Sequence, residues 1–108
     1  MTKTTETYRK CIEACQDCIL RCEECIKGMA AEASHNDCPV CCYECLQLCQ
    51  LCIGAMARDS RNVKEICALC ADLCKWCAEQ CGAHGHGHCL RCAESCRTCA
   101  TECDKIAA

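Results

Sequence analysis

The sequence predicts an all-α fold, an antiparallel up-down-up-down four-helix bundle with a cysteine-lined core. Two observations predict it. Of the 108 residues, 21 are cysteine, and they fall into four blocks in which the spacing alternates between three and four residues. That alternation is the a/d seam of a heptad, with a period of about 3.5, carried by cysteine in place of leucine. The third observation explains why the seam must be the core. Leu, Ile, Val and Phe together supply only fifteen residues, about 14%, a share that alone points to disorder. Free cysteine behaves as a small buried hydrophobe, so the thiols themselves can form the interior.

Each element follows from its block and its punctuation, with boundaries expected within a few residues. Helix 1, about 5–31, carries Cys11, Cys15, Cys18, Cys22 and Cys25, with Thr4 or Thr5 as cap. Ser34-His35-Asn36-Asp37 reads as a turn, with Asp37 as the next N-cap and Pro39 tolerated in the first turn. Helix 2, about 38–58, then carries Cys38, Cys41, Cys42, Cys45, Cys49 and Cys52. Asp59-Ser60 separates it from helix 3, about 61–81, with Cys67, Cys70, Cys74, Cys77 and Cys81. Gly82 is placed as a C-cap glycine, and the loop to His88 leads into helix 4, about 88–106, with Cys89, Cys92, Cys96, Cys99 and Cys103. Short connections make successive helices antiparallel neighbours, and the length suits one domain, 1–108. Cys41 is the exception to the seam: it sits beside Cys42 at a g-type position, either at an entrance or facing outward.

The heptad register also gives the bundle two unlike ends. Where the chain termini lie, the stripes continue as Tyr8, Met56, Val63 and Ile106, an apolar plug. The opposite end gathers all four histidines, His35, His84, His86 and His88, with Met29 continuing the first stripe. This end is expected to be ringed by imidazole and thioether. Ile12, Ile19 and Ile26 recur every seven residues, with Leu46, Leu48, Leu51 and Ile53 flanking helix 2. Together with Trp76, placed away from the seam, they suggest an oligomer interface on helices 1 and 2. Glu23, Glu24, Lys75 and Arg97 read as solvated outer face.

Composition excludes several classes. The net charge is −3 with both signs interspersed and 3% aromatic residues, which offers neither a basic patch nor a stacking platform for nucleic acid. Met1 to Lys10 contains no apolar run or twin arginine, and no membrane span is expected, so the chain is expected in the cytoplasm, where thiols stay reduced. An odd cysteine count fits a disulfide framework poorly. No set of residues specifies a catalytic acid, base or substrate pocket, so no enzyme is expected.

What remains is soft-metal chemistry. Cysteines three or four apart have Cβ atoms roughly 5–6 Å apart on one face, within reach of a single ion. Cu(I) is soft, favours thiolate and thioether, and needs no tetrahedral cage. Charge balance separates it from zinc. Near one Cu(I) per thiolate the buried core is almost neutral, whereas about five Zn²⁺ leave roughly 10 positive charges against 20 or 21 negative ones. A zinc or cadmium detoxification protein, and a dithiol redox or iron–sulfur protein, are the competing readings.

The Cys-x-x-x-Cys and Cys-x-x-Cys ladders, Glu65-Ile-Cys-Ala-Leu-Cys-Ala-Asp-Leu-Cys74, and His84-Gly-His-Gly-His88-Cys89 resemble the bacterial cytosolic copper storage proteins. The resemblance runs from Tyr8 to Cys103. It implies a cysteine-filled bundle that binds many Cu(I) ions, assembles as a homotetramer, and takes in metal at the histidine-bearing end. No donor or acceptor protein for the copper is specified.

Overall fold

The computed structural model describes residues 3–108, with side chains from Glu6 onward. Four helices follow one another: α1 (Lys3–Met29), α2 (Val40–Ala57), α3 (Val63–Gly82) and α4 (Gly87–Ala107). Each packs against its two sequence or ring neighbours, α1 on α2 and α4, α3 on α2 and α4. The diagonal pairs make no close backbone approach among the described residues. The result is a rod of 44 × 22 × 17 Å whose central axis belongs to side chains alone.

Those side chains are thiols. Every cysteine is at most 2% exposed, and all 21 are free. Alanines mark the closest helix packing: Ala71 and Ala78 on α3, Ala93 and Ala100 on α4, each pair seven residues apart and at most 4% exposed. On the α1–α2 side the same job falls to larger groups. Ile12, Ile19, Ile26, Leu48 and Ile53 are half-buried against the core, and Leu46 is 7% exposed. At the plugged end Met56 and Val63 are buried, while Tyr8 and Ile106 are half-buried.

The connections differ from the sequence expectation in several ways. α1 is helical from Lys3, so Thr4 and Thr5 lie inside the helix rather than capping it, and their side chains fall outside the described residues. Asp37 does not cap α2. That helix starts at Val40, and Asn36 shapes the turn instead, its Oδ1 accepting the Cys38 N–H at 2.9 Å. The Asp37 carboxylate accepts the Trp76 indole N–H at 3.3 Å, which ties α3 to the α1–α2 turn. Trp76 is therefore half-buried against the core edge and engaged within the bundle. Gly82 is the last residue of α3 and no glycine has positive φ, because Ala83 closes the helix in ordinary right-handed geometry. Among the described residues the one left-handed non-glycine is Asp59, at φ 52°, a conformation that short polar side chains tolerate. Its carboxylate accepts the Tyr8 hydroxyl at 3.2 Å, fastening α1 to the α2–α3 turn.

One helix also carries more hydropathy than the sequence reading allowed. Val40–Ala57 has mean hydropathy 1.4 over 18 residues, long and apolar enough to cross a membrane by length and composition. Its six-cysteine block supplies much of that hydropathy, and 44% of the segment is buried inside the bundle. The thiol stripe facing three other thiol stripes accounts for it as a core helix.

Candidate metal centre

Antiparallel pairing of four 3-4 seams aligns one cysteine from each helix at every level, except that Cys38 at the uppermost level lies in the turn before α2 and outside the helix expected to carry it. Five squares result. From the plugged end they are Cys11/Cys52/Cys67/Cys103, Cys15/Cys49/Cys70/Cys99, Cys18/Cys45/Cys74/Cys96, Cys22/Cys42/Cys77/Cys92 and Cys25/Cys38/Cys81/Cys89. Sulfur–sulfur distances along the α1–α4 edge run from 3.6 Å for Cys11–Cys103 to 3.8 Å for Cys22–Cys92. Along the α2–α3 edge they run from 3.3 Å for Cys52–Cys67 to 3.8 Å for Cys49–Cys70 and Cys42–Cys77. Sulfurs also meet across the diagonal the backbones leave open, as in Cys42–Cys92 at 3.8 Å and Cys49–Cys99 at 3.9 Å.

The squares are not separate compartments. Cys15, Cys49, Cys70 and Cys99 form one square whose sulfurs all lie within 4.8 Å of one another, and Cys18, Cys45, Cys49 and Cys74 do the same across two levels. Cys92–Cys96 and Cys99–Cys103, each at 4.0 Å, link levels along α4. The column is one continuous ligand field. Triangles within it approach the size a trigonal site needs: Cys18, Cys45 and Cys96 are 3.6, 3.7 and 3.9 Å apart. The centre of such a triangle is about 2.2 Å from each sulfur, close to a metal–thiolate bond of about 2.3 Å.

The interior thiols divide: Cys45, Cys70 and Cys92 are held well below the ordinary thiol range, first by hydrogen bonds from Cys18, Cys103 and Cys22 respectively. Cys49, Cys77 and Cys103 are pushed well above the ordinary thiol range, first by hydrogen bonding to Cys15, Cys22 and Cys11 respectively, and further by burial. Toward the open end Cys38 is pushed up to about 12, chiefly by burial, and Cys89 is raised by burial as well. Cys25 goes the other way, down to about 6, because Cys42 and Cys81 hydrogen bond to its thiolate, with His88 adding to the effect.

The four histidines converge at that end as a stack. Ring centroids are 4.4 Å apart for His35–His84, 6.1 Å for His84–His86 and 5.3 Å for His86–His88, with interplanar angles of 23°, 19° and 13°. His84 is only 4% exposed, and its imidazole pKa is lowered, first by desolvation and then by His35 and His86. His84 Nε2 lies 2.9 Å from Asn36 Oδ1. Asn36 Nδ2 donates to the Gln80 carbonyl at 2.8 Å, which fixes Oδ1 as the acceptor. His84 must therefore carry its proton on Nε2, leaving the Nδ1 lone pair for an incoming ion. His86 Nε2 sits 3.7 Å from the Glu32 carboxylate. His88 Nδ1 is 3.4 Å from Cys89 Sγ, and Cys89 is 3.6 Å from the Met29 thioether. Imidazole, thiol and thioether thus form a chain from the surface to the uppermost square.

Two residues in this region escape the sequence reading, which leaves one more between two positions. Gly28 lets the His88 ring lie on α1: a Cβ there would meet ring atoms Nε2 at 2.5 Å, Cγ at 2.6 Å and Cδ2 closer still. Gln80 stitches the α1–α2 turn to α3, its Oε1 accepting the Asp37 N–H at 2.9 Å. Cys41 faces inward, not outward. It is fully buried, with Sγ 4.0 Å from Cys81, because α3 leans over the g position of α2.

A family model described as "Copper storage protein" matches residues 4–108. The chain belongs to the copper storage protein family. Among solved structures, the Cu(I)-bound copper storage protein BsCsp3 is 42% identical with a TM-score of 0.88, covering 98% of this chain and 100% of that one. Apo Csp3 from Bacillus subtilis is 44% identical, again at TM-score 0.88, over 93% and 98% of the two chains. An uncharacterized cysteine-rich protein of Bacillus subtilis strain 168, YhjQ, is 61% identical over 31 residues, 29% of this chain and 29% of its own length. The family is one of storage, and the four-helix bundle of this chain is the fold of its solved relatives.

Proposed function

We propose that this copper storage protein holds many Cu(I) ions on the thiolates of its 21 cysteines. The observation that carries the reading is the thiol column itself, closed by apolar side chains at one end and capped by imidazoles at the other. An ion arriving at His35, His84, His86 or His88 meets Cys89 and Met29 next, displaces a thiol proton, and enters the first square. From there each neighbouring sulfur lies within 3.3–4.0 Å, so a two- or three-coordinate ion gains its next ligand before losing its last. No step requires the ion to be free in the core. The protein acts as a store without turnover, since nothing but ligand exchange is asked of these residues.

Geometry alone does not choose the metal. A tetrahedral ion with bonds of about 2.3 Å needs sulfur edges of about 3.8 Å, and the squares offer that too. Charge does choose: a monovalent ion replacing each thiol proton leaves the buried column neutral, while divalent ions at four sulfurs each strand negative charge in a core that, among the described residues, buries no lysine or arginine. The cytoplasm, which keeps thiols reduced, is the compartment such a column requires. Assembly as a homotetramer is part of the proposal, supported by Leu20, Val40, Tyr43 and Leu51, which leave α1 and α2 with apolar side chains about half exposed.

Anaerobic titration against chromophoric Cu(I) and Zn²⁺ chelators tests the reading. Saturation near one Cu(I) per thiolate, about 20 ions, is expected. Saturation by about five Zn²⁺ with Cu(I) held no more tightly overturns it.

A further inference from the structure

Five squares use twenty cysteines and leave Cys41 over. A residue needed there only as filler could be alanine, as at the packed α3–α4 face; a thiol that is fully buried and in sulfur contact offers a ligand. Its neighbour Cys81 is the junction of the open end, 3.7 Å from Cys38, 3.5 Å from Cys42 and 3.8 Å from Cys77. Cys41 adds a further sulfur at 4.0 Å. That is the edge of a trigonal site with bonds of about 2.3 Å.

The open end therefore has two corners of different make. At the α1–α4 corner, donors outside the squares are His88 and Met29, both touching Cys89. At the α2–α3 corner they are Cys41, in contact with Cys81, and the buried imidazole His84, whose Nδ1 is the unprotonated nitrogen. The histidine stack runs from one corner to the other, so an ion at either has imidazoles beside it.

We propose that Cys41 and Cys81 form a second Cu(I) acceptance site, fed by His84, parallel to the lane through His88, Cys89 and Met29. The inference rests on the copper-storage reading. An ion held by His84 Nδ1 exchanges the imidazole for the Cys41 thiolate, the thiol proton leaves to solvent, and Cys81 then draws the ion into the column. Copper stays Cu(I) throughout, so no oxidant or reductant takes part. Cys41 gives the α2–α3 corner the soft donor that Met29 gives the other.

The test is a mutant cycle on the full-length reduced protein, with Cu(I) delivered anaerobically from a chromophoric chelator and uptake followed by stopped flow. Two equal lanes predict about a twofold slower uptake for Cys41→Ala or His84→Ala, and no further slowing when the two are combined. Cys41→Ala combined with His88→Ala is expected to slow uptake more than about tenfold, since both lanes are then impaired. Cys41→Ala should also lower capacity by one ion, and Cys41→Ser, which keeps the volume, should behave alike. Helical circular dichroism identifies any variant that misfolds, and the serine variant then decides. Unchanged rate and capacity in Cys41→Ser, or His84→Ala slowing the Cys41 variants as much as wild type, overturns the second lane. Wild-type protein that holds only a few Cu(I) ions overturns the storage reading as well, and is seen before any variant is made.

Discussion

Gly28→Ala is expected to slow copper uptake while leaving the bundle nearly as stable as before. Gly28 lies one residue from the end of α1, and a methyl group there would overlap the His88 ring. The ring must swing away, losing its place beside Cys89 Sγ at 3.4 Å and its stacking on His86 at 5.3 Å. Alanine in place of glycine favours the helix by about 0.5–1 kcal/mol. The lost ring stacking costs about 0.5–1.5 kcal/mol. The two nearly cancel, so the melting temperature should move by no more than about 8 °C in either direction for a domain of this size. Capture is different: displacing His88 impairs one of two parallel lanes, so uptake is expected to slow about twofold, corresponding to about 0.4 kcal/mol in the barrier. Final capacity should not change, because no square loses a thiol. Stopped-flow transfer from a chelator and a thermal melt of the apo protein give the two numbers, and the His88 ring protons in an NMR spectrum report its displacement. A displaced His88 ring with wild-type uptake refutes the role given to His88; a melt lowered by much more than 8 °C refutes the claim that Gly28 serves the site and not the fold.

At the opposite end, Met56→Ala removes a fully buried side chain and should cost about 2–5 kcal/mol in denaturant unfolding of the apo protein, with the copper count unaltered. His84 should titrate below the ordinary histidine range in NMR, since desolvation and the neighbouring His35 and His86 disfavour its cation. Its folded pKa lies below the unfolded value, so this group's contribution is intact above about pH 6.5 and stability is lost as pH falls from there through the folded value. Hydrogen exchange in the 83–88 loop should accelerate over that window. Copper loading should release about one proton per ion near neutral pH, as measured in weakly buffered solution, because thiols such as Cys38, at about 12, are protonated there. Apparent affinity should accordingly rise with pH, and proton release that is absent would refute the protonated state given to thiols such as Cys38.

The column was readable because a seam is a property of one helix at a time. Alternating three- and four-residue steps place Cys11, Cys15 and Cys18 on one face whatever surrounds them, and short turns then force the four faces together. What sequence hid depends on relations between helices. Whether the g-position thiol of Cys41 points to solvent or to sulfur is decided by how far α3 leans over α2. The need for glycine at 28 comes from a ring sixty residues away. Asp37 has the chemistry of a cap, yet Asn36 captured the turn and left Asp37 to hold Trp76. The four histidines could be assigned to one end from loop topology, but not their stacking order or the tautomer that Asn36 imposes on His84.

Four of the squares draw their sulfurs from four different helices, the uppermost takes Cys38 from the turn before α2, and the lowest joins Cys11 to Cys103, near the two extremities of the chain. An ion seated anywhere in the column is thus also a rivet between segments remote in sequence. Filling the store tightens its own container, and a ligand bound only by the folded form stabilises that form by mass action. The full protein should resist unfolding and proteolysis that the empty one suffers. Copper content would then set how long each molecule survives, and a cell short of copper would lose its vacant containers first.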